Sequence, residues 1–308
     1  MVCFASCVRA SSTALRVGKP FVQLDAGSDA AVWYTDRMKI EEHVVLGPYT
    51  TLAVGGPARF VITAHSTEEL GRAVRFAGER SLPHAVLGGG SNILVPDAGY
   101  AGVVIRPDIH GVSTSWVTDR EVEVVVGAGE NWDELVEYSV ARNLWGLENL
   151  SGIPGTVGAA PVQNIGAYGA ELKDTFLWCE VFDPVTQTTR VMGADECEFE
   201  YRRSVFKQHP ERGLIITRVA FGLSRTPKPT TAYKDLDRWF QEKNTPSPTL
   251  ADIREAVLAI RERKFPDRAE VGTAGSFFTN PVVSRARYEE LASRFPDMPC
   301  YDTGAERV

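Results

Sequence analysis

Apolar residues recur along the chain with different spacings, and this pattern predicts helices inserted among short strands. Three segments have the helical period and a capping residue at the start: 66–80 with Ser66, 131–142 with Asn131 and 249–264 with Thr249. A shorter helix is predicted at 288–295. Short apolar runs predict strands at 58–63, 85–87, 100–106, 122–126, 176–183, 188–192 and 214–221. The chain is therefore assigned to the α+β class.

Changes in composition predict two boundaries. Pro227, Pro229, Pro246 and Pro248 lie among serines and threonines, which is typical of a connection, so we expect a separate domain from residue 224 onward. The first 37 residues also differ from the rest, because they are basic and rich in serine up to residue 22 and lack a sustained period. They are predicted to be a disordered extension or a misassigned start, with Met38 as the true first residue.

The stretch Gly146–Ala170, GLENLSGIPGTVGAAPVQNIGAYGA, contains six glycines among small residues, and its only charge is Glu148. Glycine lets a ligand approach the backbone closely, so this composition predicts a main chain that wraps a ligand. Since the stretch has no Lys or Arg, a bound anion would be held by main-chain N–H groups. The alternative is a loop that only connects two elements.

A second glycine-rich loop, Gly88–Asn92, lies between two apolar runs, an arrangement typical of phosphate binding. It is not a Walker loop, because no Gly-Lys-Ser/Thr follows. The dinucleotide fingerprint also fits poorly, because Ile93 stands where the third glycine belongs. Two anion-binding loops in one chain indicate an extended ligand such as a dinucleotide.

Composition narrows the class of protein. The chain has 308 residues, 44% of them hydrophobic, a net charge of −7 and a pI near 5.4, which argues against nucleic-acid or anionic-membrane partners. No apolar run approaches the roughly 20 residues of a membrane helix. Five scattered cysteines and five histidines predict a reducing compartment, hence the cytoplasm, and no metal site.

Four segments in a fixed order carry a family resemblance: LGGGSNILV, GLENLSGIPGTVGAAPVQNIGAYGAE, YRRSVFK and AGSFFTNP. From about Ile40 onward the chain closely resembles the UDP-N-acetylenolpyruvoylglucosamine reductases. The resemblance implies an FAD-binding fold of the vanillyl-alcohol-oxidase (PCMH) type over residues 38–108 and 109–223. An incomplete substrate-binding α+β domain would follow over 224–308. A monomer is expected to reduce UDP-N-acetylglucosamine enolpyruvate, a UDP-sugar, with NADPH through FAD during synthesis of a peptidoglycan precursor.

The resemblance places the FAD contacts in the two glycine-rich segments, with the pyrophosphate on main-chain N–H groups. The implied cofactor-binding residues are Gly88, Gly89, Gly90, Ser91, Asn92, Ile153, Pro154, Gly155, Gly158, Ala159, Asn164 and Gly166.

The implied reaction brings hydride to a vinyl carbon, so negative charge builds on the adjacent carbon and its carboxylate. A cation must stabilise this enolate, and an acid must protonate the carbon. Arg202 in YRRSVFK matches the family's arginine, whose guanidinium suits a planar carboxylate. Ser276 in AGSFF matches the proton donor. From the residues alone, a surface charge explains Arg202 as well as a catalytic role does. Without the resemblance, Ser276 would be assigned to a turn.

Tyr233, Lys264 and Asn280 match family positions that contact the substrate's diphosphate, and Arg261 is expected near them, one helical turn before Lys264. Lys207 is expected to assist in binding the phosphate of NADPH or of the substrate. The charge of Lys264 also suits a helix C-terminus, so its functional role rests on the match.

The family's chains continue beyond the position equivalent to Val308 and carry there a glutamate that works with the serine. The resemblance therefore implies a truncated chain that keeps its FAD site but turns over poorly or not at all. Two alternatives stay open: another oxidase of this fold and a non-catalytic FAD-binding remnant. The reductase should bleach with NADPH and reoxidise with the enolpyruvyl substrate, whereas an oxidase should bleach with its alcohol and reoxidise in air.

Overall fold

The computed structural model describes residues 2–3, 21–24, 31–35, 38–267, 270–275, 278–298, 300 and 306–307. The described strands are β1 (Val2–Cys3), β2 (Phe21–Leu24), β3 (Ala31–Thr35), β4 (Met38–Val45), β5 (Pro57–Ala64), β6 (His84–Val86), β7 (Ile93–Leu94), β8 (Tyr100–Pro107), β9 (Val112–Trp116), β10 (Glu121–Gly127), β11 (Gly166–Ala167), β12 (Ala170–Glu171), β13 (Phe176–Asp183), β14 (Thr188–Gly193), β15 (Ile215–Ser224), β16 (Val283–Ser284) and β17 (Glu306–Arg307). The described helices are α1 (Thr67–Glu79), α2 (Trp132–Ala141), α3 (Ala194–Cys197), α4 (Val205–Gln208), α5 (Lys234–Glu242), α6 (Leu250–Lys264) and α7 (Arg285–Arg294).

The chain forms two compact units, 2–275 and 276–308. The smaller unit contains α7 and the antiparallel pair β16 and β17. Ser284 caps α7 by accepting a hydrogen bond from the Arg287 N–H, which explains why this helix begins before the predicted residue 288. No helix in the described part of the chain is long and apolar enough to cross a membrane.

The first sheet of the larger unit has six strands in the order β2-β3-β4-β5-β8-β6. β5, β8 and β6 are parallel, and α1 lies between β5 and β6 in the chain. Leu70 and Ala77 on the apolar face of α1 share a core with Ile62 and Ile105 of the sheet. Burial of this face explains why the helical period stands out in the sequence.

The second sheet is antiparallel, in the order β14-β13-β15-β10-β9, and shares a large core with α2. Trp132 on α2 packs edge-on against Phe221 with ring centroids 5.8 Å apart, and its Nε1–H donates to the Leu150 carbonyl. That bond fixes the start of the glycine-rich stretch against the core.

A third core joins α5 and α6 to the same unit. Leu236 and Phe240 of α5 and Ile253 and Val257 of α6 are buried together with Trp145, which precedes the glycine-rich stretch. α6 therefore packs beside that stretch. The domain boundaries drawn from the sequence, including the one at residue 224, stay predictions.

The three strongly periodic helices are confirmed together with their caps. Ser66 accepts from the Glu69 N–H, and Asn131 accepts from two N–H groups of α2. Thr249 and Asp252 form a complete capping box on α6. At α1 the capping box is not completed as expected, because the Glu69 carboxylate accepts from the His65 N–H, one residue before Ser66.

The predicted strands are confirmed within a few residues at each end, whereas β4, β9 and the two-residue strands were not predicted. Every residue of β9 is solvent-exposed, so this edge strand has no apolar pattern to detect and depends on pairing with β10. Within residues 1–37, β2 and β3 pair antiparallel next to β4. For the residues that lie outside the description, disorder stays a prediction.

Shortening a buried valine in the second sheet should destabilise the protein far more than shortening an exposed one. Val124 in β10 is 0% exposed and Val191 in β14 is 57% exposed. We expect Val124→Ala to cost about 2–3 kcal/mol, because two methyl groups are lost from a packed core. Val191→Ala should change stability by less than about 0.5 kcal/mol. Urea unfolding measures both, and equal costs would contradict this core assignment.

Candidate active site

The two glycine-rich segments found in the sequence lie against each other. A Cβ atom on Gly89 would stand 2.6 Å from the Gly155 Cα. On Gly88 it would stand 2.7 Å from the Thr156 Oγ1. The Ser91 hydroxyl donates to the Pro154 carbonyl at 2.9 Å. Because the main chains of Gly89 and Gly155 touch and side-chain contacts flank them, the two loops form one surface.

The glycines of the first loop thus serve contacts within the protein. Gly90 has φ +63°, and a Cβ there would lie 1.9 Å from the Tyr49 carbonyl oxygen, which excludes any side chain. Ligand approach was the expected reason for these glycines, and the closeness of neighbouring main chain is a second, sufficient one.

The joined loops offer several main-chain donors. Among the residues that the structure describes, no acceptor is found for five N–H groups of the first loop or for three around the start of the second. These groups belong to Gly88, Gly89, Gly90, Ser91, Asn92, Ile153, Gly155 and Thr156. Neither loop contributes a Lys or Arg, so the donor set consists of neutral amide dipoles. Such a set suits an anion held by the backbone.

Gly158 and Ala159 brace the second loop. The Gly158 N–H donates to the Ala128 carbonyl, and a Cβ on Gly158 would lie 2.5 Å from the Ala128 Cβ. Ala159 lies next to Gly88, because a Cβ added to Gly88 would be 3.0 Å from the Ala159 Cβ. Both residues therefore hold the loop between β10 and the first loop.

Asn92 and Asn164 have side chains engaged with protein groups. Asn92 donates to the Gln163 Oε1 at 2.5 Å, which joins the loops a second time. Asn164 is 0% exposed and has φ +45°. Its amide donates to Glu171 and to the Glu200 carbonyl, and its oxygen accepts from the Lys173 N–H. The Asn164 side chain therefore stabilises the turn.

Arg202 reaches the far end of the glycine-rich stretch. Its guanidinium donates to the Gly166 carbonyl at 2.7 Å and to the Asn164 carbonyl at 3.3 Å. Lys207 donates to the Arg202 carbonyl at 3.1 Å, and burial, with the charge of Arg202 nearby, lowers the pKa of Lys207. The predicted catalytic cation and the predicted phosphate-binding lysine are thus neighbours beside the predicted cofactor segment.

Arg261 lies at the opposite end of that stretch. Gly152 has φ +70°, and a Cβ on it would lie 2.9 Å from the Arg261 Nε. The Gly152 N–H donates to the Asp133 Oδ1 at 2.6 Å. α6 therefore brings a guanidinium over the start of the turn Ile153–Gly155, the IPG turn.

Tyr233 and Lys264 lie near Tyr168, which follows Gly166 in the stretch and comes back beside Asn149. The rings of Tyr233 and Tyr168 meet edge-on with centroids 5.5 Å apart, and Lys264 forms an ion pair with Asp235. Burial raises the pKa of Tyr168, the charge of Asp235 adds to the rise, and Arg261 opposes it. Three of the predicted substrate contacts therefore surround one tyrosine of the glycine-rich stretch.

Two predicted residues fall outside what is described of this site. Ser276 lies outside the described residues. Asn280 belongs to the unit 276–308, where it is solvent-exposed. Their assignments as proton donor and substrate contact stay predictions.

Sequence reasoning missed Thr51 and Asp133. The Thr51 N–H donates to the Gly90 carbonyl, its carbonyl accepts from the Thr273 N–H, and its hydroxyl donates to the Thr273 carbonyl. Thr51 thus joins the first loop to the segment before Gly275, and no motif marks it. Asp133 is recognisable in the sequence as an acid in the first turn of a helix. That position predicts only a favourable interaction with the helix N-terminus.

Comparison with known proteins agrees with this geometry. Residues 58–191 match a family model described as an FAD binding domain. The chain is 42% identical over 271 residues to the UDP-N-acetylenolpyruvoylglucosamine reductase of Pseudomonas aeruginosa, covering 88% of this chain and 79% of that one. It is 39% identical over 272 residues to the enzyme of the same name from Flavobacterium johnsoniae, covering 88% and 80%. The solved UDP-N-acetylenolpyruvylglucosamine reductase from Thermus caldophilus superposes with a TM-score of 0.58 at 33% identity, covering 79% and 76%.

The residues at the two loops fit FAD. The cofactor's pyrophosphate needs N–H donors, which the backbone supplies. The region that matches the FAD-binding family, residues 58–191, contains both loops. The expected α+β, FAD-binding fold is confirmed.

Replacing Gly89 by alanine should abolish flavin binding. The new Cβ would collide with Gly155 main chain, which cannot rotate away, so the two loops must separate. Gly193→Ala is the matched control, because a Cβ there meets nothing within 4 Å. Flavin absorbance per purified protein measures the effect. Full flavin content in Gly89→Ala would contradict the contact between the loops.

Proposed function

The chain belongs to the family of UDP-N-acetylenolpyruvoylglucosamine reductases, and we propose that it reduces UDP-N-acetylglucosamine enolpyruvate to UDP-N-acetylmuramate with NADPH as reductant. The observation that carries this proposal is the position of Arg202. Its guanidinium donates to two carbonyls of the glycine-rich stretch, so a fixed cation lies beside the segment assigned to FAD.

The cofactor would be held mainly by main chain. The N–H groups of Gly88–Ser91 and of Ile153, Gly155 and Thr156 are assigned to the pyrophosphate. When bound, FAD supplies two-electron hydride transfer between NADPH and the enol ether. Asn164 and Gly158 act on the loops through protein contacts.

Arg202 would stabilise the enolate that forms when the vinyl carbon accepts hydride. A guanidinium presents paired donors to a planar carboxylate, and its charge opposes the charge that develops in the transition state. The two carbonyl acceptors hold the side chain in place before the substrate arrives. Preorganisation of this kind avoids the cost of reorienting a cation during the reaction.

Protonation of the adjacent carbon is assigned to Ser276. Thr51 holds the chain at Thr273, three residues before Ser276. The Thr273 N–H donates to the Thr51 carbonyl, and the Thr51 hydroxyl donates to the Thr273 carbonyl. A serine hydroxyl is a weak acid, so its role requires a polar setting that favours proton transfer.

The diphosphate of the UDP-sugar is assigned to the opposite end of the stretch. Arg261 lies over Gly152, Tyr233 packs on Tyr168, and Lys264 pairs with Asp235. Asn280 is assigned to the same set. The substrate would then extend along the glycine-rich stretch, with its phosphates toward Gly152 and its enolpyruvyl group toward Arg202. Lys207, next to Arg202, is assigned to a phosphate of NADPH or of the substrate.

A cytoplasmic monomer completes the proposal. The thiols of Cys179 and Cys197 lie 3.9 Å apart, buried in the core of the second sheet.

Anaerobic spectroscopy tests the function with the purified flavoprotein. NADPH should bleach the flavin absorbance, and UDP-N-acetylglucosamine enolpyruvate should restore it without oxygen. Restoration by oxygen alone would indicate an oxidase, and failure of both steps would indicate a flavin-binding remnant.

Arg202→Met should slow reoxidation by substrate about 10²–10³-fold, because the enolate loses its cation. Bleaching by NADPH should stay within a few-fold, since no carboxylate charge develops in that step. Arg203→Met is the matched control, because Arg203 makes an exposed ion pair with Glu200 and does not face the glycine-rich stretch. Equal slowing in both variants would contradict the role of Arg202.

Arg261→Met and Lys264→Met should each weaken equilibrium binding of the enolpyruvyl UDP-sugar about tenfold, because each loses a charge-assisted contact to phosphate. Flavin content should not change. Arg263→Met on the same helix is the control, since its guanidinium stacks on Trp239. Titration followed by the flavin spectrum measures the dissociation constants, and a loss of affinity in the control alone would refute the assignment.

A further inference from the structure

One face of α6 lies along the start of the IPG turn. Arg254, Leu258 and Arg261 follow one another at helical spacings of four and three residues and so share this face. Arg254 contacts Asp133 on α2, while a Cβ on Gly152 would touch Leu258 and Arg261 at 3.0 Å and 2.9 Å. The proposed substrate cation Arg261 is therefore on the same helix face as Arg254, which binds Asp133.

The Asp133 carboxylate accepts three hydrogen bonds, one from the glycine-rich stretch and two from α6. Its Oδ1 accepts from the Gly152 N–H at 2.6 Å and from the Arg254 Nη1 at 2.7 Å. Its Oδ2 accepts from the Arg254 Nη2 at 2.9 Å, which makes the ion pair bidentate. The Arg254 side chain is 14% exposed, so solvent screens the pair weakly.

The protonation behaviour of Asp133 agrees with this geometry. Burial alone would raise the pKa of Asp133. The hydrogen bonds from Arg254 and Gly152, together with the charges of Arg254 and Arg261, outweigh burial and lower it. The carboxylate thus stays charged at neutral pH.

We propose that Asp133 is a positioning residue, which sets the place of Arg261 over the substrate's diphosphate by joining the Gly152 N–H to Arg254. The inference rests on the proposed function and adds to it the group that aligns the cofactor segment with the substrate-binding helix. The Asp133 Oδ1 accepts from both the Gly152 N–H and Arg254, so a shift of the glycine-rich stretch moves α6 as well.

The rest of α6 does not supply this alignment. Ile253, Val257 and Ile260 bury the helix against the third core, and Thr249 caps its start. Apolar contacts are non-directional and tolerate small rotations of a helix about its axis. A bidentate pair fixes the orientation of both partners, so it selects one rotation of α6. Loss of the pair should leave the fold intact and move Arg261.

The test measures binding of UDP-N-acetylglucosamine enolpyruvate to the oxidised flavoprotein by titration of the flavin spectrum. Asp133→Asn keeps the acceptor for Gly152 but cannot accept both Arg254 donors. We expect its dissociation constant to rise about tenfold at unchanged flavin content, since small misplacements of a binding group have effects of this size. Arg254→Lys keeps the charge without the fork and should give a smaller rise.

A double variant distinguishes positioning from a general loss of stability. If Asp133 acts through Arg261, Asp133→Asn should add no further loss of affinity in the Arg261→Met background. Glu255→Gln is the matched control, because Glu255 lies on the same helix and makes an exposed ion pair with Lys243. It should bind as the wild type does.

Wild-type affinity in both Asp133→Asn and Arg254→Lys would overturn the inference, and so would additive losses in the double variant. If Asp133→Asn fails to retain flavin, Arg254→Lys decides the matter alone. A wild-type protein that holds flavin but binds no UDP-sugar would instead refute the proposed function, and the inference with it.

Discussion

The approach of Gly89 to the Gly155 main chain leaves no room for a side chain on Gly89, and the arrangement of the site depends on this contact. Once the loops touch, their N–H groups belong to one surface, although more than 60 residues separate them in the chain. The Ser91 and Asn92 side chains reinforce the contact at the C-terminal end of the first loop. A donor surface made of main chain cannot rearrange as side chains do, so it is preformed for a ligand of fixed shape.

The distribution of charge follows from this use of the backbone. The loops carry no Lys or Arg, so the cations of the site come from elements on either side. Arg202 reaches one end of the glycine-rich stretch from the segment before α4, and Arg261 reaches the other end from α6. In the proposed function these ends correspond to the reacting carboxylate and to the diphosphate. Separate cations for the two anions allow binding and chemistry to be adjusted independently.

Helix α6 connects packing with chemistry. Its apolar face completes the third core, its other face covers Gly152, and its last turn carries the basic side chains. Asp133 ties that helix to the cofactor segment through a shared oxygen. The ion pair is poor evidence of stability by itself, since desolvation offsets much of the attraction. Its directionality is the property that a site of fixed geometry requires.

The sequence by itself determined the helices with their caps, the strands with buried apolar runs, the two glycine-rich loops and the family. These features depend on neighbouring residues, through periodicity, capping and motif spacing. It did not reveal β9, which has no buried face, or Asp133 and Thr51, whose partners are distant in the chain. Only the tertiary structure decided that the loops join, that the glycines serve this contact, and that Arg202 and Arg261 lie at opposite ends. The physical reason is that these relations are contacts across the fold, which local residue patterns do not encode.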